Sequence, residues 1–236
     1  MRLALFMAFF LTATPVFGSE AVGLANLVVA AYGGAETIEG NKFVKQTGVL
    51  DSKRHGKSGT IERTFSRPDK LRIEIRIPGV PPESRILNGS QGWRDGREVP
   101  PMMARAMLLQ AARLDLPYLI MKAGQTIKMF GPAKRDGDRV LKGLEIPMED
   151  GLRLIVIVDA ETGYIFSSHG LILLAPNQGM EFTTIYSNHK NMNGTVFATE
   201  ESHFAQGQST GKTTLETTKI LPELSDSVFT LKGEAL

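Results

Sequence analysis

A strict alternation of apolar and charged residues from Leu71 to Ile77 constrains the fold of this chain more than any other feature. The apolar set is Leu71, Ile73, Ile75 and Ile77, and the charged set is Arg72, Glu74 and Arg76. Successive side chains of a β-strand point to opposite faces, so this period of two predicts a strand with one buried face. The preceding segment predicts a similar strand, with Ile61, Arg63 and Phe65 on one face.

Further strand candidates follow at short intervals. They are residues 83–88, 125–130, 139–146, 152–159, 164–174, 180–187, 195–204 and 212–221. Between them lie turn signals whose second residue is glycine: Asn88-Gly89, Asp95-Gly96, Asp136-Gly137, Asp150-Gly151, Thr162-Gly163 and Asn193-Gly194. Glycine adopts the positive φ that hairpin turns need, so the spacing predicts a meander of antiparallel strands.

Two apolar segments have a helical pattern instead. Residues 21–31 predict a short helix that ends at Gly33-Gly34. Residues 101 to about 115 predict a second helix, which begins with proline and is apolar over most of its circumference. Such a helix has to be covered on more than one side. We therefore expect a single α+β domain in which a long, curved antiparallel sheet wraps around helices on its concave face.

The N-terminal residues predict export from the cytoplasm. Arg2 precedes an apolar run, Leu3–Leu11, that is too short to cross a bilayer stably. Pro15 breaks this run, and Gly18-Ser19 supplies small residues for a signal peptidase. We expect a cleaved signal peptide over residues 1–18 and a soluble mature domain over residues 19–236.

Composition argues against three classes of protein. The chain has no cysteine, which excludes a disulfide framework and a lipid anchor on cysteine and leaves its stability to an ordinary hydrophobic core. Lys and Arg number 27 against 25 Asp and Glu. A net charge this close to zero argues against a nucleic-acid partner.

The candidate catalytic and cofactor motifs are all weak. Gly207–Thr213 is one residue short of a phosphate-binding loop and precedes a strand, so it predicts a hairpin turn. The four histidines have no metal-ligand spacing, and no Gly-x-Ser-x-Gly motif is present. The adjacent carboxylates Glu200 and Glu201 are expected on the solvated surface. We therefore expect no metal, no cofactor and no enzymatic activity.

The methionines of the second helix allow two interpretations. Met102, Met103 and Met107 have flexible, polarizable side chains, which adapt to ligands of varied shape. Methionine also fills ordinary protein cores equally well. The sequence alone leaves both a ligand-lining role and a core role open.

Four short segments resemble the LolA/LolB-like superfamily of periplasmic lipoprotein-sorting proteins. They are Tyr32-Gly33-Gly34 at the end of a helix, Phe65-Ser66-Arg67-Pro68-Asp69-Lys70-Leu71-Arg72 between two strands, the turn Asn88-Gly89-Ser90-Gln91-Gly92-Trp93, and the closing Leu224-Ser225-Asp226-Ser227-Val228-Phe229. The order and spacing of these segments extend over nearly the whole mature chain.

The resemblance implies an incomplete β-barrel closed by helices, whose apolar interior receives the acyl chains of a lipoprotein or another lipid. It implies that Arg67, before Pro68, holds a helical lid in place, and it singles out Trp93. An inner-membrane exporter and an outer-membrane acceptor are the partners that it implies. Together with the apolar patterns, it gives these candidate ligand-binding residues: Arg67, Ile73, Ile75, Trp93, Met102, Met103, Met107 and Leu108.

Three functions compete at this point. The first is a soluble periplasmic carrier that binds acyl chains and shuttles them toward the outer membrane. The second is a periplasmic sensor or adaptor that uses the same fold to bind a membrane-protein partner. The third, an enzyme with an unusual site, has the least support, because no nucleophile and base are paired.

The signal-peptide prediction sets the first residue of the exported protein. We expect the mature chain to begin at Ser19, because Val16-Phe17-Gly18 precedes it with a small residue at the cleavage position. Intact-mass measurement of the exported protein checks this. A species that retains residues 1–18 would contradict it.

Overall fold

The computed structural model describes residues 17–149, 151–175, 178–192 and 194–231. The predicted signal peptide therefore lies almost entirely outside the described residues, and its cleavage stays a prediction. The helices are α1 (Phe17–Ala31), α2 (Gly34–Gly40), α3 (Pro101–Arg113) and α4 (Leu116–Ala123). Short 3₁₀ turns cover Gly124–Thr126 and Asp226–Phe229.

The strands form one antiparallel sheet. Their bounds are β1 (Phe43–Ser52), β2 (Lys57–Ser66), β3 (Lys70–Arg76), β4 (Glu83–Asn88), β5 (Gln91–Arg94), β6 (Arg97–Glu98), β7 (Lys128–Asp136), β8 (Arg139–Ile146), β9 (Leu152–Asp159), β10 (Ile165–Ala175), β11 (Gln178–Met192), β12 (Thr195–Ala205) and β13 (Gln208–Leu221). The predicted α+β class, the single curved antiparallel sheet and the helices beside it are confirmed.

The order of the 13 strands in the described residues places the first and the last of them next to each other. From one edge to the other it is β6-β5-β4-β3-β2-β1-β13-β12-β11-β10-β9-β8-β7. The first strand thus pairs with the last, and β6 and β7 remain as edges. Because the edges do not pair, the sheet is an open, incomplete barrel rather than a closed one.

Several elements differ from the sequence-based prediction. The predicted strand at residues 125–130 begins later, at Lys128, because Gly124–Thr126 forms a 3₁₀ turn. The helices α2 and α4 and the strands β1, β5 and β6 were not predicted. In β1 the apolar period is interrupted by the buried Gln46 and by Gly48. A Cβ on Gly48 would lie 2.2 Å from the Thr214 carbonyl oxygen, so this register irregularity requires glycine.

One side of the concave face is covered by α1 and α4. Their buried residues pack on β8, β9 and β10 in a single apolar cluster, whose sheet members include Leu144, Leu154, Val156 and Ile165. Gly33 and Gly34 end α1 with φ of 101° and 86°, as the sequence predicts, and α2 follows directly.

Helix α3 crosses the opening of the sheet and contacts strands on both sides of it, which we call the two limbs: β2 to β5 and β8 to β10. On one side Met107 packs with Phe65, Leu71 and Leu87 of β2, β3 and β4. On the other, Leu109 packs with Leu152 of β9 and Ile172 of β10. The prediction that this helix is covered on more than one side is therefore confirmed.

The methionines of α3 have different surroundings. Met107 is 3% exposed and belongs to the core, whereas Met102 and Met103 are 43% and 38% exposed. Leu108 is partly buried against the same cluster as Met107.

Within the described residues, no single helix has the length and apolar composition of a membrane span. Only α1 and α2 taken together have that length and composition, and a bend of 68° separates them.

The position of Met107 predicts a stability cost. Met107→Ala should lower the free energy of unfolding by about 2–5 kcal/mol, because it leaves a cavity between α3 and the sheet. The matched variant Met103→Ala, on the exposed face of the same helix, should change it by no more than about 0.5 kcal/mol. Urea denaturation of both variants checks the contrast. Equal losses would mean that α3 does not pack in this orientation.

Candidate functional site

The space between α3 and the middle of the sheet is a cavity of about 640 Å³. One wall is apolar and is formed by the alternating residues Leu71, Ile73, Ile75 and Ile77. Leu50, Leu114 and Phe182 extend this apolar lining. The volume lies in the range of about 300–1,000 Å³ that is usual for small-molecule sites. We call this space the main cavity.

A smaller cavity of about 80 Å³ lies next to it, under α2 and the start of α4. Tyr32, Ile38, Val44 and Leu116 form its apolar part. Arg63, Arg113, Leu114, Tyr186 and Glu201 line both cavities. The two spaces are thus neighbours along one shared wall.

A buried ion pair forms the centre of this shared wall. Arg63 on β2 donates from Nη1 to Glu201 Oε2 on β12 at 2.7 Å, and its Nη2 donates to Oε1. Its Nε donates to Gln46 Oε1 on β1 at 2.6 Å. The Arg63 and Glu201 side chains are 9% and 8% exposed. Burial alone would raise the pKa of Glu201, but the ion pair with Arg63 outweighs it and lowers the pKa.

Other polar side chains extend the pair across the sheet. His203 contacts Thr213 Oγ1 at 2.9 Å through Nε2 and Thr184 Oγ1 at 3.3 Å through Nδ1. The Tyr186 hydroxyl lies 2.8 Å from Ser168 Oγ. Burial lowers the pKa of His203 and raises that of Tyr186 to about 12, so both are neutral at pH near 7. We call this row the polar belt: Gln46, Arg63, Ser168, Thr184, Tyr186, Glu201, His203 and Thr213.

Arg113, at the C-terminal end of α3, faces the polar belt. Its Nη2 donates to the Phe182 carbonyl oxygen, while its Nε has no hydrogen-bond partner among the described residues. Burial lowers the pKa of Arg113 because the charged guanidinium is largely removed from water. The lining of the main cavity is basic among the described residues. Its cationic residues are Lys53, Arg54, Arg63, Arg85, Arg94 and Arg113, and its acidic residues are Glu83 and Glu201.

Arg67 connects the helices to the sheet. Its Nε and Nη2 each donate to Asp115, which lies between α3 and α4, at 2.6 Å. The same guanidinium donates to the carbonyl oxygens of Ile38, Glu39 and Asn41 at 3.1–3.4 Å. It also lies 3.5 Å from the centre of the Tyr118 ring. We call Arg67 and Asp115 the helical latch.

Burial dominates the ionisation of Asp115. It raises the pKa of this carboxyl to about 6, although the hydrogen bonds and charge of Arg67 favour the ionised form. The latch therefore depends on Arg67 to keep a buried carboxylate charged at neutral pH.

The structure brings some of the predicted site residues together and separates others. Arg67 lines the small cavity, and Ile73 and Ile75 line the main cavity. Met107 and Leu108 pack in the core between α3 and the sheet. Met102 and Met103 are exposed and line neither cavity.

Trp93 lies on the other face of the sheet. Its neighbour Gly92 packs against Met107 and Ala104 of α3, so Gly92 faces the concave side. Adjacent residues of a strand point to opposite faces, which directs Trp93 to the convex side beside Ile86. It lines neither cavity.

Sequence reasoning missed the polar belt and Arg113. The expectation that Glu201 is solvated is wrong: Glu201 is buried against Arg63, while Glu200 on the opposite face pairs with Lys212 at 2.7 Å. The alternation of the strand predicts this separation. The sequence did contain a signal for the polar belt. Arg63 is a charged residue on the same strand face as the apolar Ile61 and Phe65.

The other candidate motifs of the sequence lie in a hairpin turn or are dispersed over the described residues. Gln206 and Gly207, with φ of 49° and 73°, form the turn between β12 and β13, which confirms the predicted hairpin. Among the residues that the structure describes, no group of three or more His, Asp or Glu is arranged to hold a metal ion.

Solved structures with the same architecture identify the fold. No protein-family model matches the sequence, and no curated protein matches it closely enough to count as a relative. A LolA superfamily protein from Nitrosomonas europaea has 12% sequence identity and a TM-score of 0.58, with 92% of this chain and 99% of that chain covered. The chain has a LolA-like fold.

Two further structures agree with the LolA-like fold. One is described as a domain of an outer membrane lipoprotein-sorting protein from Vibrio parahaemolyticus, with 11% identity, a TM-score of 0.55 and coverage of 91% and 98% of the two chains. The other is a DUF1329 family protein from Desulfovibrio piger, with 10% identity, a TM-score of 0.53 and coverage of 89% and 97%. The predicted resemblance to LolA-like proteins is confirmed at the level of the fold.

The helical latch predicts a pH-dependent loss of stability. Arg67→Leu should lower the free energy of unfolding at neutral pH by about 3–5 kcal/mol, because it leaves Asp115 as a buried carboxylate without a partner. The variant raises the pKa of Asp115 further above its unfolded value. The folded state then binds the proton more readily, so stability is retained in acid and lost as pH rises through the folded pKa.

Urea denaturation at about pH 5 and about pH 8 measures this difference. The loss should be smaller at the lower pH. Asp115→Leu in the Arg67→Leu background is the control, since it removes the titrating group and with it the pH dependence of the loss. A loss of equal size at both pH values in the single variant would contradict the assignment.

Proposed function

We propose that this protein is a soluble periplasmic carrier, which binds acyl chains of a lipoprotein or another lipid in the main cavity and shuttles them toward the outer membrane. The main cavity, with the apolar wall of Leu71, Ile73, Ile75 and Ile77 inside a LolA-like fold, is the observation that supports this most. The predicted signal peptide supports the compartment.

The energetics of acyl transfer explain why such a wall is useful. Each methylene group shielded from water contributes about 0.8 kcal/mol, so an acyl chain does not cross an aqueous gap at a useful rate without a carrier. The alternating strand β3 presents a continuous apolar surface because its charged residues all point to the other face. A linear chain that lies along this strand exchanges water for aliphatic contacts over its length.

Helix α3 gives the cavity its cover. Its core contacts with both limbs of the sheet close the opening from one side. The helical latch joins the end of α3 to α2 and to the end of β2. We infer that entry of a ligand requires movement of this helical cover, with an inner-membrane exporter as donor and an outer-membrane acceptor as recipient.

The proposal predicts that a charge on the apolar wall prevents binding. Ile75→Asp should raise the dissociation constant of a neutral fluorescent acyl ester by about tenfold or more, because the carboxylate must stay hydrated or lose its charge. Leu174→Asp, the same type of change at a position that is 48% exposed, is the matched control and should leave the affinity unchanged. Fluorescence titration measures both, and thermal unfolding checks that both variants are folded.

A transfer assay distinguishes a carrier from a sensor or adaptor. The purified protein should accelerate movement of the fluorescent acyl ester from donor to acceptor vesicles separated in solution. Binding without acceleration would favour the sensor or adaptor. Absence of binding to the wild-type protein, or full affinity in folded Ile75→Asp, would refute an acyl site in the main cavity.

A further inference from the structure

We propose that the ligand of the main cavity is an amphipath with an anionic headgroup, a carboxylate or a phosphate, and that Arg113 binds this headgroup beside the polar belt. This inference rests on the proposed function and deepens it, because a wall of aliphatic residues alone does not choose between charged and neutral lipids. It makes Arg113 the specificity-determining residue of the site.

The hydrogen bonds of Arg113 are the first support. A guanidinium has five N–H donors in a fixed planar arrangement. Among the described residues, Arg113 gives one hydrogen bond, to the Phe182 carbonyl oxygen, and its Nε is buried without a partner. A buried donor without an acceptor is costly, and a buried charge without a partner more so. A bidentate anion is the partner that this geometry fits best.

The carboxylates of the cavity do not supply that partner. Glu201 is held by Arg63 through both of its oxygens. Glu83 is held by Arg85 and by Arg94, with the Arg94 contact at 2.7 Å. Among the described residues, both acidic side chains that line the main cavity are therefore bonded to other arginines, and no carboxylate is bonded to Arg113. His203 does not change this balance, since burial favours its neutral form.

The position of Arg113 suits a headgroup next to an acyl chain. It lies at the end of α3, where the main cavity meets the small cavity, and Leu114 and Tyr186 line both cavities there. From that point the apolar wall of β3 extends along the main cavity. Lys53 and Arg54, which also line the main cavity, add to a positive potential that attracts an anionic ligand.

The test compares ligands that share one chain and differ in the headgroup. Dodecanoate, dodecyl phosphate and dodecanol are titrated as competitors of the neutral fluorescent acyl ester. The wild-type protein should bind one or both anions about tenfold or more tightly than dodecanol, since a hydrogen bond to a charged group is lost in the alcohol. Which anion binds more tightly distinguishes a carboxylate from a phosphate headgroup.

Arg113→Met is the decisive variant, because methionine keeps most of the length and apolar contact of the side chain. In this variant the dissociation constants of the anions and of dodecanol should become about equal, while that of dodecanol stays the same. Arg105→Met, an exposed arginine on the same helix, is the matched control and should keep the full preference. Because Arg113→Met removes a buried charge, the free energy of unfolding should stay the same or rise. Replacement of a purely structural arginine would lower it.

The possible failures are distinguishable. If the wild-type protein binds dodecanol and the anions equally, or if Arg113→Met keeps the preference, the headgroup assignment is refuted and the acyl carrier proposal stands. If none of the ligands displaces the acyl ester and the ester itself does not bind, the proposed function fails first.

Discussion

The concave face of this sheet has to be covered by helices, because the edge strands β6 and β7 do not pair with each other. A sheet that closed into a barrel would bury its interior by itself. Here α1 and α4 cover the limb of β8 to β10, and α3 crosses to the opposite limb. The buried partners of α3 lie on β2, β3 and β4 on one side and on β9 and β10 on the other. The main cavity is the space that this arrangement leaves over the middle of the sheet.

The polar belt is hard to explain by stability alone. Replacing a buried ion pair with apolar residues is often neutral or stabilising, so the Arg63–Glu201 pair is weak evidence for a structural role. Its neighbours His203 and Tyr186 also have polar atoms that an apolar core would not need. A row of satisfied polar groups beside an apolar wall matches a ligand that has a polar part and an apolar part. In our proposal, the belt and the β3 wall would face the polar and the apolar part of one amphipathic ligand.

The sequence predicted the regular parts of this fold and failed where tertiary contacts replace the local pattern. Strands that end at clear turn signals, such as β4 before Asn88-Gly89 and β8 and β9 on either side of Asp150-Gly151, have the predicted bounds. Strand β1 was missed because its concave face includes Gln46, whose burial depends on Arg63, a residue of the next strand. A side chain that is buried only because a distant partner satisfies it has no apolar signal of its own.

The same limit applies to the candidate site. Arg67 was found because Pro68 follows it in a recognisable segment, and Ile73 and Ile75 because of their alternation. Glu201 was assigned to the surface because its partner, 138 residues earlier in the chain, is adjacent only in the folded sheet. Met102 and Met103 were candidates because the helical period does not specify which face of an almost wholly apolar helix meets the sheet.

Reversibility limits how apolar the interior of a carrier should be. At about 0.8 kcal/mol per methylene, a long chain in a wholly apolar cavity would be held so tightly that release to an acceptor would be slow. In the proposed carrier, the polar belt would reduce the apolar area that a chain contacts, and Arg113 would add a directional interaction at one end of the main cavity. In the proposed carrier, an acceptor would have to displace one localised charge contact, after which the remaining aliphatic contacts would be lost along β3 in small steps. Arg67 and Arg113 thus have separate roles in our proposal: Arg67 holds the helical cover on the sheet, and Arg113 would hold the ligand.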